Sequence, residues 1–133
     1  MKTILLVEDD HDDQQFFVDA LNEIENVCLL AIANDGQEAL IKLNEMDTPD
    51  IIFMDINMPR MNGIECLKAI ANTEQTKNIP VIFLSTSIVE LEKVMKLGAK
   101  GFIEKTFDNH VLISNLERII NHFATNPARI GQI

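Results

Sequence analysis

Asp50-Ile51-Ile52-Phe53-Met54-Asp55-Ile56-Asn57-Met58-Pro59-Arg60-Met61-Asn62-Gly63 is the stretch on which the reading of this chain turns. Ile51 to Met54 is an unbroken apolar run, the pattern of a strand buried on both faces. It ends on a carboxylate, Asp55. Pro59 and Gly63 then mark a turn, so Asp55 is expected where a buried strand leaves the core. In open α/β sheets that C-terminal edge is where ligands bind.

Working outward, Thr3–Val7 reads as a first apolar strand, broken by Glu8-Asp9-Asp10. A helix from about Asp12 to Glu25 places Phe16, Phe17, Ala20, Leu21 and Ile24 inward. Asp12, Asp13, Asp19 and Glu23 fall on its solvent side or in its first turn. Val27–Ala33 is a second strand, closed by the turn signal Asn34-Asp35-Gly36. Helices are expected over Gln37–Met46 and Ile64–Thr73. Ile79–Leu84, opened by Pro80, is a fourth strand ending at Ser85-Thr86-Ser87. A helix over Val89–Leu97 stops at Gly98, a suitable C-terminal cap. Lys100–Glu104 is a short fifth strand followed by Lys105. The last helix, Asn109–Phe123, has Val111, Leu112, Leu116, Ile119, Ile120 and Phe123 as its buried stripe. Residues 1–123 form one domain, and 124–133 are expected to be a flexible C-terminal tail.

Strands alternating with helices imply a parallel sheet with right-handed crossovers. The expected architecture is α/β: a flavodoxin-like, doubly wound five-stranded parallel sheet in the order 2-1-3-4-5 with five helices. At 133 residues the chain can bury roughly two thirds of its unfolded surface. Hydrophobic residues make up 47% and mean hydropathy is +0.07, which argue against disorder. With no Trp or Tyr, the core must be aliphatic with Phe as its large filler. A formal charge of -10 and a pI near 4.6 disfavour direct nucleic-acid binding and anionic membranes. Cys28 and Cys66 lack metal-like spacing and read as reduced, buried thiols. The apolar run after Lys2 is too short for a signal peptide, and no run reaches the roughly 18 residues of a membrane span. A cytoplasmic protein without membrane insertion is expected.

The strand ends deliver a set of polar groups: Glu8 and Asp9, Asp55, Ser85, and Lys105. In the order 2-1-3-4-5 four of the strands are adjacent, so these side chains converge on one crevice. Three carboxylates about 4–6 Å apart repel one another by a few kcal/mol at an effective dielectric of ~20. Such a cluster takes up protons or a cation. Hard oxygen ligands with room for water suit Mg²⁺. Lys105 and Ser85 could then stabilise a phosphoryl group on Asp55, the nucleophile.

The chain resembles the response-regulator receiver domains of two-component signalling. The matching pieces are Leu6-Val7-Glu8-Asp9, Asp55-Ile56-Asn57-Met58-Pro59 with Gly63, Ser85-Thr86, and Gly101-Phe102-Ile103-Glu104-Lys105, spanning about residues 2–123. The resemblance implies that Asp55 is the phosphoacceptor, with Asp9 and Asp55 ligating Mg²⁺ directly. Asn57 would add its backbone carbonyl and Glu8 would act through water. Asp10 would serve as a local cap. Ser85, Thr86, Phe102 and Lys105 would form the phosphoryl-binding and switch set, and Asn57 and Ser87 would tune hydrolysis. Glu90, Glu92 and Lys93 would lie at the partner face. The phosphoryl donor would be a sensor histidine kinase or a histidine phosphotransfer protein. The expected function is a stand-alone, chemotaxis-regulator-like response regulator acting through a changed protein-binding surface. It would be a phosphoacceptor rather than an enzyme, apart from slow self-dephosphorylation.

Two features depart from the family pattern. Thr106 stands where proline usually follows the lysine; because a non-proline cis bond costs about 3 kcal/mol, a trans Lys105–Thr106 bond is expected. The segment between Ser85 and Lys105 is also about two residues shorter than in chemotaxis-type relatives, which the loop into helix four or its first turn would absorb. Three other readings compete. An aspartyl phosphatase of the haloacid-dehalogenase type needs a general acid where Asn57 stands. A flavin binder needs a phosphate-cradling loop where Glu8-Asp9-Asp10 would repel phosphate. A degenerate receiver would bind partners without phosphorylation.

Overall fold

The computed structural model describes residues 1–87, 89 and 91–124. Glu90 and the expected tail, apart from Ala124, lie outside them. In chain order the elements are β1 Lys2–Val7, α1 His11–Leu21, β2 Val27–Ala33, α2 Gly36–Glu45, β3 Ile51–Asp55, α3 Gly63–Ala71, β4 Val81–Ser85, α4 Leu91–Lys96, β5 Gly101–Glu104 and α5 Asn109–Ala124. The strands form one parallel sheet in the order β2-β1-β3-β4-β5.

The uninterrupted apolar runs follow from burial on both sides of the sheet. Successive residues of a strand point to opposite faces. Leu5 and Val7 of β1 and Ile52 and Met54 of β3 therefore pack with Ala39, Cys66, Leu67, Ile70 and Val94 of α2, α3 and α4. Ile4, Leu6, Ile51 and Phe53 pack with Phe17, Ala20 and Leu21 of α1 and Leu112, Leu116 and Ile120 of α5. The Phe17 and Phe53 rings lie 5.3 Å apart. β3, hydrogen-bonded between β1 and β4, is buried at all five positions, Asp55 included.

Several boundaries differ from the periodicity reading. α1 ends at Leu21 and not near Glu25; Asn22 caps it, and Asn26 takes a left-handed φ of 63° in the turn into β2. Asn tolerates that region better than most residues. β4 begins at Val81 because Pro80 has no N–H to donate, although its carbonyl accepts from Ile52 N at 3.0 Å. Leu30 of β2 is exposed because the β1–β2 register skips it, leaving it at a bulge. Val111, expected in the buried stripe of α5, is 45% exposed: the helix buries the row through Leu112, Leu116, Ile119 and Ile120. α4 covers Leu91–Lys96, shorter at both ends than the expected Val89–Leu97. Gly98 follows it at φ 109°, a conformation strained for a residue with Cβ. Both cysteines are free, Cys66 buried and Cys28 half-buried.

Candidate functional site

The apolar face of each strand ends at the same edge of the sheet, and there the polar side chains gather. Asp55 closes β3 opposite Leu84 of β4. The loop after it is pinned at three points. The Gly63 N–H donates to the Ile56 carbonyl at 2.7 Å, and the Gly36 N–H donates to the Met61 carbonyl at 3.1 Å. Arg60, held at φ 63°, donates from Nε to Asp35 Oδ2 at 2.7 Å and also reaches that oxygen through Nη2. Asp35 is itself buried and caps α2, accepting the Glu38 N–H at 2.9 Å. That backbone bond, with Arg60, holds the Asp35 carboxyl below its ordinary pKa. The loop that presents Asn57 to solvent is thus tied to the N-terminus of α2.

Glu8, Asp9 and Asp55 each offer a carboxylate oxygen, and these oxygens lie within 4.8 Å of one another. Lys105, one residue past β5, brings Nζ to 2.7 Å from Glu8 Oε1, 2.8 Å from Asp13 Oδ2 and 3.5 Å from Asp55 Oδ1. Its position is set by its own N–H, which donates to the Ser85 carbonyl at 2.7 Å. Burial removes water from Glu8 and pushes its pKa up to about 7, the nearby Asp55 charge adding to the effect against the opposing pull of Lys105. Burial likewise raises Asp55, only partly offset by Lys105. For Lys105, burial acts downward, but the contacts of Asp13 and Glu8 and the charge of Asp55 outweigh it and carry the ammonium pKa up.

Glu8 Oε1 is buried, with the Lys105 ammonium 2.7 Å away as the group facing it. Three carboxylates converging within 4.8 Å, with one ammonium among them, are a donor set for a hard cation. The residues present therefore fit Mg²⁺.

The remaining candidates divide. Ser85 is buried at the end of β4, where its Oγ accepts the Ser87 N–H at 3.2 Å. Thr86 is exposed on the rim of a hollow of about 130 Å³ that also touches Glu8, Asp13, Phe17, Lys105 and Phe107. Phe102 is half-buried against the layer that includes Val94 and Ala99. Glu92 and Lys93 are exposed on α4, away from the carboxylates in sequence and element. Asn57 and Ser87, the positions expected to tune hydrolysis, are both exposed. No peptide bond among the described residues is cis, so Lys105–Thr106 is trans; Thr106 Oγ1 accepts the Asp108 N–H at 3.0 Å. Asp10 caps α1, accepting the Asp13 N–H at 2.9 Å.

Asp13 lies in the first turn of α1, as expected, and in addition reaches Lys105, a contact the sequence reading does not foresee. The signal was its spacing: Asp13 stands four and eight residues before the buried Phe17 and Leu21, on the same helical stripe. The Arg60–Asp35 pair left no comparable mark, since loop conformation brings it together.

The response regulator receiver domain model matches residues 4–117. The transcriptional regulatory protein CpxR of Escherichia coli (strain K12) is 36% identical over 122 residues, which are 90% of this chain and 50% of that protein. The chain thus spans about half the length of the curated relatives it matches. Among solved structures, chemotaxis response regulator CheY4 of Vibrio cholerae superposes with a TM-score of 0.76 at 31% identity, over 90% of this chain and 98% of that one. The Mn(2+)-bound form of response regulator Rcp1 gives 0.78 at 27% identity, over 95% and 96%. The strand order, the carboxylates gathered at one sheet edge and a match over most of the sequence agree: the chain belongs to the response regulator receiver domain family of two-component systems.

Proposed function

We propose that this chain accepts a phosphoryl group on Asp55 from a phosphohistidine donor, in a Mg²⁺-dependent reaction, and signals through a changed protein-binding surface. One observation carries the reading: three carboxylates within 4.8 Å of one another, with the Lys105 ammonium 3.5 Å from Asp55, at the C-terminal edge of the sheet. A carboxylate oxygen of Asp55 attacks phosphorus, the P–N bond to the donor imidazole breaks, and the leaving nitrogen keeps the electron pair. The product is an acyl phosphate on Asp55. Mg²⁺, when bound by Asp9, Asp55 and the Asn57 carbonyl, with Glu8 through water, supplies charge neutralisation for the transferred oxygens. Support for a divalent ion comes from the donor set and from the Mn²⁺ in the related Rcp1 structure.

Lys105 and the Ser85 hydroxyl then bind the phosphoryl oxygens, with Thr86 beside them. Phe102, carried by β5 and packed toward Val94 and Ala99, moves with Ser85, and the surface around α4, β5 and α5, including Glu92 and Lys93, is altered. The donor is a sensor histidine kinase or a histidine phosphotransfer protein. Intact-mass measurement after incubation with acetyl phosphate and Mg²⁺ tests the reading. One phosphoryl adduct with Mg²⁺ and none with EDTA is expected; no adduct on a folded protein in Mg²⁺ overturns it.

Mg²⁺ also stabilises the fold. At about 100 times its Kd the ion adds about 2.7 kcal/mol, near 10 °C in Tm for a chain of this size. The pH dependence has a definite sign. Glu8 titrates at about 7 when folded, against an ordinary value of 4.5. The folded protein therefore holds a proton that the unfolded chain has released. The Glu8 contribution to metal-free stability is fully present below about pH 4.5 and is lost as pH rises to about 7, by up to about 3 kcal/mol, while the depressed Asp35 carboxyl acts in the opposite direction in acid. Asp55, also raised, acts in the same direction as Glu8. Since the ion needs ionised ligands, its stabilisation should be larger at pH 8 than at pH 5.5. Thermal unfolding followed by circular dichroism checks this, and a Tm indifferent to Mg²⁺ at pH 8 contradicts the metal site.

A further inference from the structure

We propose that Asp13 is a positioning residue that holds the Lys105 ammonium off Asp55 and competes with an incoming phosphoryl group for it; this rests on the reading of Asp55 as phosphoacceptor. Lys105 Nζ lies among three carboxylates, but unequally. Glu8 Oε1 stands 2.7 Å away and Asp13 Oδ2 accepts a hydrogen bond from Nζ at 2.8 Å, whereas Asp55 Oδ1 stands 3.5 Å away, beyond a well-formed bond. The Lys105 side chain is 20% exposed and that of Asp13 35%, so water screens the pair only in part. Asp13 sits on α1 and Lys105 beyond β5, 92 positions away, so the contact spans the layer where α1 and α5 pack together.

Asp13 is also the carboxylate around Lys105 that stands outside the metal-type cluster of Glu8, Asp9 and Asp55. Glu8 and Asp55, but not Asp13, would be shared between Lys105 and a cation held by that cluster, which would leave Asp13 as the Lys105 partner outside it. A phosphoryl dianion on Asp55 must then recruit Lys105 against Asp13, whose own negative charge further opposes the anion's arrival. The neighbouring Asp12 is exposed in the same helical turn and makes no such contact with Lys105. It provides a control with the same change of net charge.

Asp13→Asn should tighten binding of beryllofluoride, a phosphoryl mimic, about fivefold in the presence of Mg²⁺, the scale of a partly exposed ion pair. It should raise the initial rate of labelling by limiting acetyl phosphate by a similar factor. Asp12→Asn should change both by less than twofold, and Asp13→Asn should lose its effect in a Lys105→Ala background. That loss is a coupling a merely structural role would not produce. Unchanged or weaker beryllofluoride binding by Asp13→Asn, or the same gain without Lys105, overturns the proposal while leaving the phosphoacceptor reading intact. A wild-type protein that takes neither beryllofluoride nor phosphoryl group overturns both.

Discussion

Asp55→Asn should take labelling by acetyl phosphate from one phosphoryl group per chain to none. The amide keeps the shape of the carboxylate at the end of β3 but replaces the ionised oxygen that attacks phosphorus by a poor nucleophile. Its neighbours are expected not to substitute: Glu8 is buried and paired with Lys105, and Asp9 is the expected direct ligand of the cation. The fold should survive, because the carboxylate is disfavoured in its charged form by burial and by Asp9. Removing that charge relieves repulsion, so the variant's metal-free Tm at pH 8 should equal or exceed that of the wild type. Intact mass and thermal unfolding, run side by side, check both parts. A single adduct persisting on a folded Asp55→Asn protein would show that another group accepts the phosphoryl.

Gly63→Ala should be the most damaging single methyl group in the described chain. Gly63 opens α3, and a Cβ there would stand 2.4 Å from the Asp55 carbonyl oxygen, 2.9 Å from Ile56 Cα and 2.8 Å from the Phe83 ring. Two of those atoms are backbone, and the third belongs to a fully buried ring, so none can swing aside. The close approach also carries the Gly63 N–H bond to Ile56 at 2.7 Å. Relieving the clash moves α3 away from the end of β3, displacing Asp55 and the Asn57 loop together. Loss of about 3 kcal/mol or more, near 10 °C in Tm, is expected. Protein that still folds should label poorly. Urea unfolding checks the stability, and a midpoint energy within about 1 kcal/mol of wild type would mean that the backbone yields at little cost.

The two experiments probe parts of the site that were unequally visible in the residues. Asp55 could be found because an apolar run ending in a carboxylate is a local pattern, and the same holds for Glu8, Asp9, Ser85 and Lys105. Each stands at the end of a segment whose type depends on its own side chains. Gly63 announced a turn, but its need for close approach depends on how the loop folds it back onto the Asp55 and Ile56 backbone and on the Phe83 ring arriving from β4. Helix ends were less legible, as α1 shows: Ile24 still packs in the apolar layer, so the hydrophobic pattern continues after the helix has stopped. Val111 erred for the related reason that an apolar residue at a helix start can face water without penalty severe enough to alter the fold.

By itself the sequence determined the alternation of strands and helices, the parallel sheet and the edge at which its carboxylates collect. These follow from side-chain periodicity, from burial of both sheet faces and from the handedness of crossovers, all local or near-local rules. Tertiary structure alone decided which charges meet. Lys105 turns to Asp13 as well as to Glu8 and Asp55 because α1 and α5 cover the same side of the sheet, and Arg60 meets Asp35 because a left-handed residue folds the β3–α3 loop toward α2. Coulomb energy depends on distance through space, and distances between remote residues exist only once the layers have packed.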